Sequence, residues 1–323
     1  MDKLITKYLN PLYSIDFQLY LGIEMKEQIV KETHNKRWLK LLLKIAITAV
    51  CLWYVSGRID FSKIWITIRA AYWPYLLLAL PTFILSKLVS AIRLNIYFQN
   101  IGLSLATWQN VKLYWLGMFY NLFLPGSISG DVYKIVMLKR SYNTTYKKTS
   151  AAVLLDRFSG LLGLGLILAA YSIFVVDKAT YVITITGGVI LAGAALYYII
   201  HRWLKDFIPG FIPTFLLGIV VQGLQVICIY IVMAALGIPS NAAEYIFIFL
   251  VSSVASVLPF TIGGLGIREV IFLEGSKMFG LAQETSVLIS LLFYLITVLT
   301  SAAGLLYVFN DPLKKNKDSL LSP

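Results

Sequence analysis

The chain has 323 residues, of which 59% are hydrophobic and only 14% are charged. Soluble proteins average about 45–50% apolar and about 25% charged residues. A soluble domain of this size has too little interior to bury so much apolar surface. With a mean hydropathy of +0.77, this composition excludes an ordinary soluble protein and predicts a polytopic membrane protein.

The charge balance is strongly basic, because 28 Lys and Arg residues face 16 Asp and Glu residues, a formal net charge of +12. In a membrane protein this excess is typical of basic cytoplasmic loops, which also attract anionic lipid headgroups. We therefore expect membrane lipids, and no nucleic acid, as partners. Cys51 and Cys228 both lie in apolar runs, which excludes a disulfide framework and a Cys-rich metal site.

Six apolar runs are long enough to cross a hydrocarbon core of about 30 Å as helices. Strand alternation is absent, so the predicted fold is all-α. A mixed-charge N-terminal extension (residues 1–37), expected on the cytoplasmic membrane surface, precedes the transmembrane domain (38–310), and a solvated cytoplasmic tail (311–323) follows it. The predicted spans are 38–56, 73–96, 150–176, 179–200, 213–236 and 285–309.

Two further apolar regions, 111–138 and 243–275, are interrupted by Pro, Gly and small polar residues. Aligned on Pro125 and Pro259, LPGSISG in the first matches LPFTIGG in the second in chemistry at nearly every position, which indicates an internal repeat. Interrupted segments at corresponding places in two halves point to a transporter's midplane site. We expect two re-entrant hairpins of opposite orientation; kinked spans are the alternative.

The placement of Lys and Arg predicts the orientation in the membrane. Cations cluster after the first broken region, after the run 179–200 and after the last run. With both termini in the cytoplasm, the positive-inside rule holds if each broken region enters and leaves on one side. The first hairpin then dips from the cytoplasm and the second from outside. Loop 57–72, which is also basic, fits this assignment least well.

The glycines of the two broken regions are candidates for binding an anion. At the start of a new half-helix, their backbone N–H groups could turn toward negative charge. The residues concerned are Gly130 in the first region and Gly263, Gly264 and Gly266 in the second. Asn121 is expected chiefly to hydrogen-bond backbone groups that the break leaves free.

Ionisable residues next to these glycines are the main site candidates, because charge at membrane depth is costly. Arg268 suits a lipid phosphate, since its guanidinium is planar and always charged; a helix-end arginine reaching the interface is the alternative. Asp131 and Lys134, three residues apart, could pair. Glu269 must point away from Arg268. Asp131 and Glu269 are read as counter-ions or proton sites, with structural ion pairs as the alternative.

A third candidate is the pair Asp156 and Arg157 in the run AAVLLDRFSGLLGLG. If Arg157 faces the bundle, it adds a second cation to the same cavity. If it faces lipid, its side chain extends to the headgroups at the membrane interface. Arg93 is interpreted as an interface anchor. No Walker loop, dinucleotide fingerprint, nucleophile elbow or histidine pair is found. We therefore expect no cofactor, no metal, no catalytic residue and no enzymatic activity.

The sequence resembles the lysylphosphatidylglycerol synthase transmembrane-region family, also called flippase-like domain proteins, over about residues 38–310. Three motifs carry the resemblance: Asn121 with LPGSISGD and Lys134, LLDRFSG around Asp156, and LPFTIGGLGIRE ending at Glu269. In the best-known members, such a domain translocates aminoacylated phosphatidylglycerol across the bacterial cytoplasmic membrane. Other relatives stand alone or accompany polyprenol-linked glycan assembly. The resemblance implies that the glycine-rich hairpins, Arg157 and Arg268 line a lipid pathway.

The chain departs from the family pattern in three ways. Nothing beyond residue 310 could form an aminoacyl-transferase domain, so the flippase domain stands alone and lipid lysylation is not expected. Lys134 occupies a place where arginine is expected, which keeps the charge but loses bidentate binding of phosphate. Thr261 and Ile262 stand where many relatives have a second proline.

These inferences lead to one functional hypothesis and two alternatives. We expect the chain to move an anionic phospholipid or lipid-linked precursor across a bacterial or archaeal cytoplasmic membrane. The headgroup would enter a polar cavity between the hairpins while the tails stay in the bilayer. The alternatives are a non-transporting scaffold that presents lipid to a glycosyltransferase or lipid-synthase partner, and a membrane enzyme acting on a headgroup. Assembly into a homo-oligomer is left open.

Overall fold

The computed structural model describes residues 39, 42–123, 129–142, 144–238, 240–258, 261–309 and 312–313. Over these ranges the chain is helical and contains no strand, which confirms the predicted all-α class. The predicted N-terminal extension lies outside the described residues, as do the tips of the two broken regions, 124–128 and 259–260.

Eleven helices follow one another along the described chain. Two 3₁₀ turns, Lys205–Gly210 and Ala303–Tyr307, extend the eighth and the last of them. The helices are α1 (Leu42–Ser56), α2 (Phe61–Ala70), α3 (Trp73–Asn100), α4 (Thr107–Phe123), α5 (Ser129–Ser141), α6 (Tyr146–Val175), α7 (Ala179–Trp203), α8 (Phe211–Ala235), α9 (Ala242–Val257), α10 (Ile267–Met278) and α11 (Gln283–Ala302).

Five of these helices are long and apolar enough to cross a membrane, namely α3, α6, α7, α8 and α11 with their 3₁₀ extensions. They coincide with the second to sixth predicted spans, so the chain is a multi-pass membrane protein. The first predicted span corresponds to α1, which counts as a sixth span only together with α2, from which it is bent by 86°.

The segment predicted as loop 57–72 contains the helix α2, which sequence reasoning missed. Asp60 caps this helix by accepting a hydrogen bond of 2.8 Å from the N–H of Ser62. The side chains of Phe61 and Trp65 are 61% and 56% exposed. An amphipathic helix that turns sharply away from its neighbour and exposes large apolar side chains fits the plane of a membrane interface.

The contacts between α3 and α8 define two ends of the bundle. At one end, the N–H of Tyr72 donates to the carbonyl oxygen of Ala235 at 2.8 Å. At the other, the Thr214 hydroxyl bonds to the Tyr97 hydroxyl at 2.8 Å. The two helices are therefore antiparallel. We call the end where α3 finishes and α6 begins the basic end, because Lys147 and Lys148 lie there, and the other the opposite end.

The helices α4 and α5 form hairpin 1, and α9 and α10 form hairpin 2. In hairpin 1 the rings of Tyr120 and Tyr133 lie 4.7 Å apart, and in hairpin 2 those of Phe247 and Phe279 lie 6.0 Å apart. Each pair thus folds back on itself, which excludes kinked spans. Hairpin 1 enters and leaves the bundle at the basic end and hairpin 2 at the opposite end, which confirms that the two hairpins have inverted orientations. Their depth in a membrane stays a prediction.

Two hydrophobic clusters hold the bundle together. One joins α3, α8, α9, α10 and α11 around Phe83, Phe249 and Phe293, whose rings meet edge to face. The other lies toward the basic end and includes Leu313. Leu313 is therefore buried, although it falls in the predicted tail, and it places the start of that tail at the basic end.

Hairpin 1 depends on a close approach of two glycines. A Cβ atom added to Gly130 would overlap the carbonyl oxygen of Gly117 across the hairpin. We expect Gly130→Ala to force α4 and α5 apart at a cost of about 1–3 kcal/mol, as in other overpacked sites. The melting temperature of the purified protein in detergent should fall by on the order of 5 °C.

The matched control for this prediction is Gly223→Ala in α8, where an added Cβ would meet no atom within 4 Å. That variant should keep the wild-type melting temperature or exceed it slightly, because alanine is the better helix former. Equal melting temperatures for the two variants would show that the close approach of Gly130 and Gly117 does not stabilise hairpin 1.

Candidate functional site

A cavity of about 360 Å³ lies where the ends of the two hairpins meet inside the bundle. Leu122, at the end of α4, lies directly against Gly263 of hairpin 2. Both residues line the cavity, together with side chains from α3, α5, α6, α8 and α11. The structure therefore brings described residues from both broken regions to one site.

The lining of this cavity, which we call the charged cavity, is strongly cationic. Among the described residues, five basic side chains and two carboxylates line it, a formal charge of +3. Burying charge of one sign is costly unless a counter-charge is present, so this cavity suits an anion. The charged lining residues are Lys87, Arg93, Lys134, Arg157, Arg268, Asp131 and Asp156.

Asp131, in the first turn of α5, lies between two cations. The Lys134 ammonium is 3.2 Å from its Oδ1, which confirms the pairing predicted from their spacing. The Arg157 Nε donates to Oδ2 at 2.5 Å, so Arg157 faces the bundle rather than the lipid. The Asp131 carboxylate thus forms ion pairs with two cations, and the three side chains together carry one positive charge.

Arg93 and Asp156 form a second, deeply buried ion pair. The Arg93 Nε donates to the Asp156 Oδ1 at 2.7 Å, and the two side chains are only 6% and 10% exposed. The interpretation of Arg93 as an interface anchor is therefore wrong. Its guanidinium fits inside the bundle because Gly160 lacks a side chain; a Cβ there would lie 2.8 Å from Nη1. The same Nη1 has no hydrogen-bond acceptor among the described residues.

Arg268 points into the charged cavity from the start of α10. Its Nε donates to the Ser256 hydroxyl at 2.8 Å, and its guanidinium lies 4.9 Å from the centre of the Phe293 ring. Within the described part of the chain, no carboxylate lies within 4 Å of it. Arg268 is thus held by the Ser256 hydroxyl and the Phe293 ring and not by an ion pair with a described carboxylate.

Lys87 of α3 is a site residue that sequence reasoning missed. Its ammonium lies 4.5 Å from the centre of the Phe83 ring, within electrostatic range of Arg268, and forms no ion pair with a described carboxylate. A lysine in the middle of the predicted span 73–96 was the available signal, since charge inside a span points to function. Lys87 and Arg268 therefore form a pair of like charges, and no described carboxylate lies within 4 Å of the nitrogen atoms of either side chain.

Glu269 does not line the charged cavity. It is 1% exposed, and its carboxylate accepts hydrogen bonds from the N–H of Gly266 at 2.6 Å and from the Ser290 hydroxyl at 2.8 Å. Glu269 points away from Arg268, as adjacent helical positions predict, and caps α10. The expectation that the Gly266 N–H faces an anion is wrong, because Glu269 already occupies that donor.

The predicted role of Gly130 needs the same correction. Its N–H donates to the Asn121 Oδ1 at 2.9 Å, so this donor also is occupied, and Gly130 does not line the cavity. Asn121 has the structural role expected of it, and it lines the cavity as well. Gly263 and Gly264 do line the cavity, at φ values of 61° and 87° that favour glycine.

Among the described residues, no group of three or more His, Cys, Asp or Glu side chains is placed to hold a metal ion. Cys51 and Cys228 are both free thiols. The charged cavity carries ammonium, guanidinium, amide and hydroxyl groups, which can bind an anion by charge and hydrogen bonds, beside the carboxylates of Asp131 and Asp156.

The fold and the site define a class of helical membrane proteins in which two hairpins, entering from opposite ends, meet at a cationic cavity. The chain belongs to the family described as the lysylphosphatidylglycerol synthase TM region, whose sequence profile matches residues 41–304. This confirms the resemblance seen in the sequence. The chain is also similar to a UPF0104 membrane protein of Pyrococcus horikoshii, with 25% identity over 124 residues, 38% of this chain and 36% of that relative's length.

Proposed function

We propose that the chain translocates an anionic lipid, a phospholipid or a lipid-linked precursor, with the lipid phosphate in the charged cavity. The observation that carries this proposal is the formal charge of +3 on the described lining where the hairpins meet, with no described carboxylate within 4 Å of the Lys87 or Arg268 nitrogen atoms. Uncompensated charge at membrane depth costs several kcal/mol, and a bound phosphate removes that cost. The family match supports a lipid-related role.

The two hairpins supply cations on both sides of the site. Hairpin 1 brings Lys134 from the basic end, and hairpin 2 brings Arg268 from the opposite end. Asp131 forms ion pairs with both Arg157 and Lys134, and together these three side chains keep one positive charge. A phosphate arriving from the basic end would attract Arg157 away from Asp131 and would then pass to Lys87 and Arg268. At each step, a charged group that loses one partner gains another of the same charge sign. No covalent step is involved.

The orientation is part of the proposal. The residues of the basic end carry more cations than carboxylates, whereas the opposite end mixes both signs. By the positive-inside rule, the basic end faces the cytoplasm, both termini are cytoplasmic and the membrane is the cytoplasmic membrane. Hairpin 1 would then receive lipid from the cytoplasmic leaflet. The basic-end cations are Lys139, Arg140, Lys147, Lys148, Arg202 and Lys205.

The lipids that co-purify with the protein test this proposal. Wild-type protein in a gentle detergent should retain phosphate-bearing anionic lipid in native mass spectra, and Arg268→Gln should lose most of it, because a charge-assisted hydrogen bond contributes about 1.5–3 kcal/mol. Arg202→Gln is the control, since it removes an exposed charge outside the cavity and should retain lipid as wild type does.

Three outcomes discriminate between the candidate functions. Retention of lipids in membrane proportions by all three proteins would contradict an anion site in the cavity. Selective retention without any translocation in vesicles would favour a scaffold that presents lipid to a glycosyltransferase or a lipid synthase. Chemical change of the retained headgroup would favour a membrane enzyme.

A further inference from the structure

A second and larger cavity, about 800 Å³ in volume, lies between α6 and α7. Its lining is apolar apart from Ser150, Thr184 and Lys147, and Lys147 is the one charged side chain among the described lining residues. We call this cavity the α6–α7 groove. Pockets of about 300–1,000 Å³ are large enough to bury most of a small ligand.

The groove exists because α7 packs against the bundle only near its C-terminal end. Leu196 and Ile200 are the buried residues of α7, and the N-terminal half of the helix is largely exposed. Gly188 lines the groove, and a Cβ there would meet no atom within 4 Å. In a bilayer, such an apolar space between helices is filled by hydrocarbon, because contact between water and the apolar lining is unfavourable.

The groove and the charged cavity share a wall. Leu161 of α6 lines both of them. Around it, α6 presents Arg157 to the charged cavity and Phe158 to the groove, since successive helical residues point in different directions. On α9, Val254 lines the groove and Ser256 the charged cavity. A molecule with a charged head and an apolar chain could therefore occupy both by passing Leu161.

We propose that the α6–α7 groove binds a hydrocarbon chain of the same anionic lipid whose phosphate occupies the charged cavity. The inference rests on the proposed function and replaces the expectation that the tails stay in the bilayer. The lining of α6 extends from Lys147 to Leu168, a helical rise of about 32 Å. That length matches a hydrocarbon core of about 30 Å, so the groove can guide the chain as the head crosses.

The test compares two glycines that are adjacent in α7. Gly188 lines the groove and Gly187 does not, and an added Cβ meets no atom within 4 Å at either position. Gly188→Leu therefore adds an apolar side chain at the groove from a position where the Cβ has room, and Gly187→Leu is its matched control. Each full-length protein is titrated with dioleoyl-phosphatidylglycerol and, separately, with dihexanoyl-phosphatidylglycerol, and binding is measured by native mass spectrometry.

The proposal predicts an effect that depends on chain length. Gly188→Leu should weaken binding of the dioleoyl lipid by about tenfold, because buried methylene groups lose their contact surface, and should leave binding of the dihexanoyl lipid unchanged. Gly187→Leu should change neither. If Gly188→Leu and Gly187→Leu bind the dioleoyl lipid equally, the proposal is overturned. The groove would then be occupied by bilayer lipid or by a partner helix. An equal loss of both lipids in Gly188→Leu would overturn the proposal too.

A third variant separates this inference from the proposed function. Lys87→Gln combined with Arg268→Gln should weaken binding of both lipids, because it removes the two cations of the charged cavity that form no ion pair with a described carboxylate. If that variant binds both lipids as wild type does, the charged site fails. The contrast between the Gly188 and Gly187 variants would still decide whether the groove holds a lipid chain.

Discussion

Replacing Lys87 and Arg268 together with glutamine should weaken the binding of phosphatidylglycerol about 100-fold or more. Each charge-assisted hydrogen bond contributes about 1.5–3 kcal/mol, and about 1.4 kcal/mol corresponds to a factor of ten. Neither cation is neutralised by a described carboxylate, so their charge is available to the lipid phosphate. Titration of the purified proteins with the lipid, followed by native mass spectrometry, measures the effect.

A double variant of exposed cations controls for the change in net charge. Arg140→Gln with Arg202→Gln removes two positive charges from the basic end, outside the charged cavity. It should bind phosphatidylglycerol as wild type does, since charges in water interact weakly with a buried phosphate. Equal losses in the two double variants would mean that lipid responds to overall charge and not to the cavity.

Among the substitutions proposed for this protein, Asp156→Asn should lower the free energy of unfolding most. It leaves the Arg93 guanidinium buried, charged and without its carboxylate, and removing one partner of a buried ion pair costs about 3–5 kcal/mol. The 2.7 Å contact and the low exposure of both side chains place this pair in that class. Thermal unfolding of the purified protein in detergent should show a fall in melting temperature on the order of 10 °C.

The control breaks an exposed ion pair by the same chemical change. Lys148 and Asp206 lie 2.8 Å apart, but their side chains are 52% and 50% exposed. Such surface pairs contribute at most about 1 kcal/mol, so Asp206→Asn should shift the melting temperature by no more than about 2 °C. Similar shifts for the two variants would show that burial of the Arg93–Asp156 pair carries no special cost.

Most of the fold could be predicted because membrane spans leave a strong signal in the sequence. Runs of apolar residues predicted five spans within a few residues of their ends, and the similarity of LPGSISG to LPFTIGG predicted paired hairpins. Helix α2 was missed, although Asp60 directly before apolar residues at helical spacing (Phe61, Ile64, Trp65 and Ile68) is a recognisable start signal. Its ten residues are too few to stand out beside the long spans.

The charged cavity could be predicted only in part. The spacing of Asp131 and Lys134 on one helix was sufficient to predict their contact. The Arg93–Asp156 ion pair could not be predicted from the sequence, because it joins residues 63 positions apart and depends on the space beside Gly160. Such long-range contacts follow from helix packing, which no local pattern specifies.

The glycine N–H groups show a different reason for failure. Their predicted partner was an anion, but side chains of the protein itself compete for the same donors. Asn121 accepts from Gly130, and Glu269 accepts from Gly266 in a capping arrangement with its own helix start. At these two positions the hairpins use their own side chains as acceptors, so in the proposed function the cationic side chains bind the anion.

Translocation by the wild-type protein tests the central claim most directly. Full-length protein is reconstituted into vesicles that contain headgroup-labelled phosphatidylglycerol or headgroup-labelled phosphatidylcholine, and an impermeant reagent reports how much label changes leaflet. We expect phosphatidylglycerol to cross at least about tenfold faster than the zwitterionic lipid, because only the anionic headgroup brings net charge to the cationic cavity. Equal rates for the two lipids, or a phosphatidylglycerol rate no higher than in protein-free vesicles, would contradict the account.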